Sequence, residues 1–152
     1  MAVNPNVDFT AGQVATADQM NRFPRGAMGY VFGTAGNITL NTTLADIGSA
    51  SVTFTAVSGR LYKVTYNAQM QKITTNGYIE ITITNGAGTN IYDSFTDVIA
   101  GSYLNYSVTS VITGLSGSVT IKARGIVSSG TATIFRNANN PTSFSVEDIG
   151  LS

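Results

Sequence analysis

The stretch RLYKVTYNAQMQK, Arg60–Lys72, decides the fold. Tyr62, Val64, Tyr66, Ala68 and Met70 fall in one phase, and Lys63, Thr65, Asn67, Gln69 and Gln71 in the other. Successive side chains leave a strand on opposite sides. A period of two kept this long therefore means a strand with one face in a core and one in water.

The same period runs outward in both directions. Upstream, SVTFTAV puts Val52, Phe54 and Ala56 on one face, and Met28–Phe32 forms a short first strand. Between them GTAGNITLNTTLADIGSA reads as a turn-rich connector, and Ser58-Gly59 as a tight connection. Downstream, Thr75-Asn76-Gly77 predicts a hairpin turn, since Asn-Gly accepts positive φ. GYIEITITN sets Ile79, Ile81 and Ile83 against Glu80, Thr82 and Thr84. TNIYDSF is a shorter strand. YLNYSVTSVIT points Leu104, Tyr106, Val108, Ser110 and Ile112 inward; SVTIKARGIV does the same with Val119, Ile121 and Ala123. TATIF follows, then SFSVEDIGL with Phe144, Val146 and Ile149 inward. That makes about eight or nine strands at regular spacing. The expected fold is all-β, an antiparallel two-sheet jelly-roll-like sandwich over residues 27–152.

Residues 1–26 read differently. The first eight are polar, contain Pro5 and predict an extended arm. Thr16 and Gln19 then match a capping box, with Asp18 in the first turn where the helix dipole favours a carboxylate. Pro24 disfavours helical backbone at Phe23, so one short helix ends near Arg22. Met20 and Phe23, three apart, share its apolar face. So short a helix is unstable alone and needs a docking partner. The candidate attachment residues are Phe9, Val14, Met20, Arg22, Phe23 and Arg25.

Composition narrows the function. Of 152 residues, 43% are hydrophobic and 11% charged, with a formal net charge of zero. Soluble domains usually carry about 25% charged residues. Thr, Ser, Asn and Gly must therefore cover much of this surface, which suits side-by-side packing in an assembly and equally fits the ordinary use of Thr and Asn in the strands and turns of β proteins. A neutral chain lacks the long-range attraction that nucleic acid or a membrane surface would reward, so neither is an expected partner. No apolar run approaches the ~18 residues of a spanning helix. The start, MAVNPNVDF, has no basic region before an apolar run, so no secretory signal is expected.

Chemistry is scarce. The chain has no histidine and no cysteine, which removes the commonest general base and the thiol nucleophile. Of three lysines, Lys63 and Lys122 lie on solvent faces of strands. Asp93 and Asp97 flank a strand end but lack the ligand spacing of a Ca²⁺ loop. Glu147 and Asp148, adjacent in a strand, point to opposite faces and cannot work as a glycosidase pair; an arginine partner, Arg124 or Arg136, is expected. GTAGNIT lacks the Gly-Lys-Ser/Thr ending of a phosphate loop. The expectation is no enzyme, no metal and no cofactor. Of the seven tyrosines, Tyr62, Tyr66 and Tyr106 belong to the core phase, leaving Tyr78 and Tyr103 as surface candidates for a carbohydrate platform.

The leader FTAGQVATADQMNRFPRG, Phe9–Gly26, resembles that of many small virion proteins of tailed phages: a Phe-Thr-x-Gly stretch, a Thr-Ala-x-x-x-Asn helix and a Pro-Arg-Gly exit. The body, with GRLYKVTYNAQ and the terminal FSVEDIG, resembles the jelly-roll modules that follow such leaders. Ala15 stands where those leaders usually carry Leu, which shifts the apolar grip to Phe9, Val14, Met20 and Phe23. The resemblance implies a fibre, tail or capsid-decoration protein, commonly a homotrimer, bound to the major capsid protein or other virion proteins. It supplies no catalytic residues. With one body, one leader and no shaft, a cement protein on the capsid surface is the preferred expectation. A tail or fibre protein binding a host receptor or surface glycan is the alternative, and it should show an aromatic and polar groove away from the leader.

Overall fold

The computed structural model describes Val14, Thr16, Ala17, Met20 and residues 23–151. The body contains ten strands: β1 (Gly26–Gly33), β2 (Ile38–Leu40), β3 (Ala45–Ala56), β4 (Arg60–Lys72), β5 (Gly77–Asn85), β6 (Asn90–Val98), β7 (Tyr103–Ile112), β8 (Gly117–Val127), β9 (Ala132–Phe135) and β10 (Thr142–Leu151). All of their pairings are antiparallel.

The pairings nest. β5 pairs with β6, β4 with β7, β3 with β8, β2 with β9 and β1 with β10. The chain is one long two-stranded ribbon that turns back between β5 and β6. There Gly88 takes a φ of 88° and donates its N–H to the Asn85 carbonyl at 2.9 Å, a conformation glycine adopts without steric cost. Rolling the ribbon adds lateral pairs: β4 with β10 and β9, and β5 with β8. One sheet then runs β1-β10-β4-β7, with the short β9–β2 pair continuing from β10's edge of β4. The other runs β3-β8-β5-β6. This is a jelly roll with two extra short strands, as the period-two pattern predicts.

The core lies between the sheets. β4 alternates buried and half-buried along its whole length. Tyr62, Val64, Tyr66 and Met70 meet Ile79, Ile81 and Ile83 of β5, Ile121 of β8, and Phe144 and Val146 of β10. Each such fully buried side chain contributes roughly 1.5–3 kcal/mol. Both sides of the sandwich are closed. On one, the Tyr106 hydroxyl of β7 donates to the Ser94 carbonyl of β6 at 2.7 Å. On the other, β1 lies so close to β3 that a Cβ at Gly29 would stand 2.2 Å from Val52 Cγ1.

Four details differ from the sequence reading. The connector before Ser51 holds β2 and the start of β3, interrupted by a bulge where Ser49 takes a φ of 71°. Its turn residues conceal a three-residue strand. The Asn76–Gly77 turn changes sheets instead of closing a hairpin, since β4 and β5 do not pair. Thr82 and Thr84, in the phase read as facing water, are buried; their cross-strand partners are the long side chains Arg124 and Lys122. Ile149 is exposed, because it falls out of step with Phe144 and Val146; Asp148, in step with them, takes the inward position, and the bulge follows it.

Candidate functional site

The leader joins the body at a buried ion pair. Arg60 opens β4 and Asp148 lies near the end of β10, both in the inward phase and nearly inaccessible to solvent. The guanidinium forks onto the carboxylate, Nε to Oδ2 and Nη2 to Oδ1, the latter at 2.7 Å. The same Nη2 donates to the Phe23 carbonyl at 2.5 Å. Asp148 Oδ1 also accepts the Gly150 N–H at 3.0 Å. Burial pushes the Asp148 carboxyl up, but hydrogen bonds from Arg60, Gly150 and the Arg25 backbone outweigh it and hold the group below the ordinary carboxylate value. Its hydrogen bond to Asp148 holds Arg60 correspondingly high against the opposing effect of burial. The pair clamps the chain where it leaves the sandwich. Arg60, not Arg124 or Arg136, is therefore the partner of Asp148, while Glu147 on the opposite face pairs with Lys63 at 2.8 Å. Arg124 pairs with Asp46 instead, and Arg136 holds the Gly36 and Gly48 carbonyls.

The described apolar side chains of the leader are exposed to differing degrees. Val14 is 91% exposed, Met20 58% and Phe23 43%. Ala17 and Met20 are helical, and the Met20 N–H donates to the Thr16 carbonyl at 3.0 Å. Arg25 is exposed. Phe9 and Arg22, and the capping residue Gln19, lie outside the described residues.

At the other end of β4 the loops are tied together. Lys72, also in the inward phase and fully buried, donates from Nζ to the Ser129 carbonyl. Desolvation pushes its pKa down. The Lys72 carbonyl accepts the Gly101 N–H at 2.8 Å, and Asn76 Oδ1 accepts the Ala100 N–H at 2.9 Å. β4 thus runs from the leader clamp to a tip built by three loops, a span of roughly 40 Å at strand rise.

The outward face of β4 carries a second feature, away from the leader. Asn67, Asn105 and Asn140, with Ser107, line a recess of about 260 Å³ between β4, β7 and the β9–β10 loop. Asn140 Nδ2 donates to Gln69 Oε1 at 2.8 Å, and Gln69 Nε2 to Asn105 Oδ1 at 3.4 Å. Beside it Tyr103 of β7 stacks on Phe135 of β9, centroids 5.5 Å apart. Tyr103 and Tyr78 are exposed as the sequence predicts, and Tyr62, Tyr66 and Tyr106 are buried. Sequence reasoning missed the amides, which meet only through cross-strand register.

No protein-family model and no curated protein sequence matches the chain. Among solved structures, the chain is similar to the enzymatically active domain of tailspike protein 4 of bacteriophage CBA120. Identity is 14% and the TM-score 0.33, over 79% of this chain and 19% of that one. It is also similar to a chain of infectious bursal disease virus strain Gx, at 13% identity and TM-score 0.39, over 98% of this chain and 47% of that one.

Proposed function

We propose that the protein is a non-enzymatic structural component of a virus particle, a capsid decoration protein of tailed-phage type. Residues 1–26 attach it to the shell and the jelly roll is displayed, three copies together. One observation carries the reading. The leader is clamped at its exit by Arg60 and Asp148, while its described apolar side chains Val14 and Met20 stand largely exposed. That is the arrangement of an arm held ready for another surface. The likeness of the leader sequence to phage virion leaders supports the same view. On the edge strand β1, Tyr30 and Phe32 form an exposed T-shaped pair 4.2 Å apart, a patch suited to a neighbouring copy. The carboxylates Asp46, Glu147 and Asp148 are each engaged in ion pairs, which leaves them unsuited to acid–base work.

Particles stripped of the protein test this. Stripped heads should release DNA at lower temperature, and adding the purified chain back should restore the original value. Equal head stability combined with lost adsorption to host cells would instead support the tail or fibre reading.

A further inference from the structure

The recess on the outward face of β4 has the chemistry of a sugar site. Its polar atoms are all neutral. Asn67 uses Nδ2 on Ser143 Oγ, Asn105 uses Oδ1 on Gln69, and Asn140 uses Nδ2 on Gln69. Among the described residues this leaves Asn67 Oδ1, Asn105 Nδ2, Ser107 Oγ and Asn140 Oδ1 without protein partners around one recess. Each amide offers both donors and acceptors, so together these atoms can meet hydroxyl groups in either role.

The frame is held in place. The β9–β10 loop is fixed by Asn137, whose Oδ1 accepts the N–H groups of Asn139 and Asn140, both at 2.9 Å. Asn105 and Asn67 sit on strands paired directly through β4 and β7. A site held before binding loses less freedom when a ligand arrives.

The aromatic pair completes it. Tyr103 lies two residues from Asn105 on the same face of β7, roughly 7 Å along the strand. It is 63% exposed, so a ring face is open to the apolar side of a sugar. No ionised side chain lines the recess. On this face the Lys63–Glu147 pair neutralises itself.

We infer that this recess binds a neutral oligosaccharide, one sugar ring among Asn67, Asn105, Ser107 and Asn140 and the next on Tyr103 stacked with Phe135. The site does not depend on whether the protein sits on capsid or tail, and its failure would leave the attachment reading untouched.

Titration calorimetry of the full chain with maltohexaose, chitohexaose and a galactan hexasaccharide, and with a hyaluronan hexasaccharide as the charged control, tests it. At least one neutral hexamer should bind saturably with a Kd below about 10 mM. Tyr103→Ala and Asn105→Ala should each weaken it roughly tenfold, and Tyr103→Phe by less than about threefold, since stacking survives. Tyr30→Ala, on another part of the sheet, should leave binding unchanged. Unchanged melting curves will show that the variants fold. The inference is overturned if no neutral hexamer binds, if hyaluronan binds best, or if Tyr103→Ala binds like the wild type.

Discussion

Arg60 and Asp148 stand 88 residues apart in sequence and meet as a buried, two-pronged ion pair at the point where the leader enters the sandwich. The pair links β4's start, β10's end and, through the Phe23 carbonyl, the arm.

Removing one partner leaves the other charge buried and unmatched, which costs about 3–5 kcal/mol. Arg60→Ala and Asp148→Asn should each lower urea stability by that order. Arg60→Lys should rescue little, because an ammonium cannot fork onto the carboxylate and reach Phe23 as well. A drop below about 1 kcal/mol for either truncation would show the clamp to be dispensable.

Acid should undo the same clamp. The Asp148 carboxyl is held below its ordinary value of 3.8 in the folded chain. Its contribution is therefore fully present above that ordinary value and lost as pH falls through the lowered folded one. The stability gap between wild type and Asp148→Asn should be constant near neutrality and narrow at the acid end. A gap that widens on acidification would reverse the assigned sign.

The close approach of β1 and β3 makes a paired prediction. Gly29→Ala drives a methyl into Val52 Cγ1 and should destabilise by about 1–3 kcal/mol. Val52→Ala removes that methyl partner. The double variant should lose less than the sum of the singles, as contacting sites do. Strict additivity would mean that β1 moves aside freely.

Much of the fold was legible because β4 keeps its period over thirteen residues and buries every residue of the Tyr62 phase. The same phase holds the signal for the clamp: Arg60 and Lys72 fall in step with Tyr62 and Met70, and Asp148 in step with Phe144 and Val146. A charge on a core phase must find a partner, but sequence alone does not say which one. The nesting of the strands and the amide recess were not legible. Asn67, Asn105 and Asn140 meet only once the ribbon has rolled and register is set, a non-local outcome that no local pattern encodes.

Tyr66 offers a test of the core. Its hydroxyl is buried with no hydrogen-bond partner among the described residues, and burial pushes its ionisation up. An unpaired buried polar group costs about 1–3 kcal/mol. Tyr66→Phe should therefore melt at the same temperature or a few degrees higher. A clear fall in Tm would mean that the hydroxyl is satisfied.

The most direct test of the central claim is truncation just before the clamp. A chain lacking residues 1–22 keeps the Phe23 carbonyl for Arg60, so the body should melt within about 2–4 °C of the full chain. Co-sedimentation with particles stripped of the native protein is the measurement. The account predicts that the full chain returns to the particle at full occupancy while the truncated chain stays in the supernatant. Full occupancy by the truncated chain would contradict it.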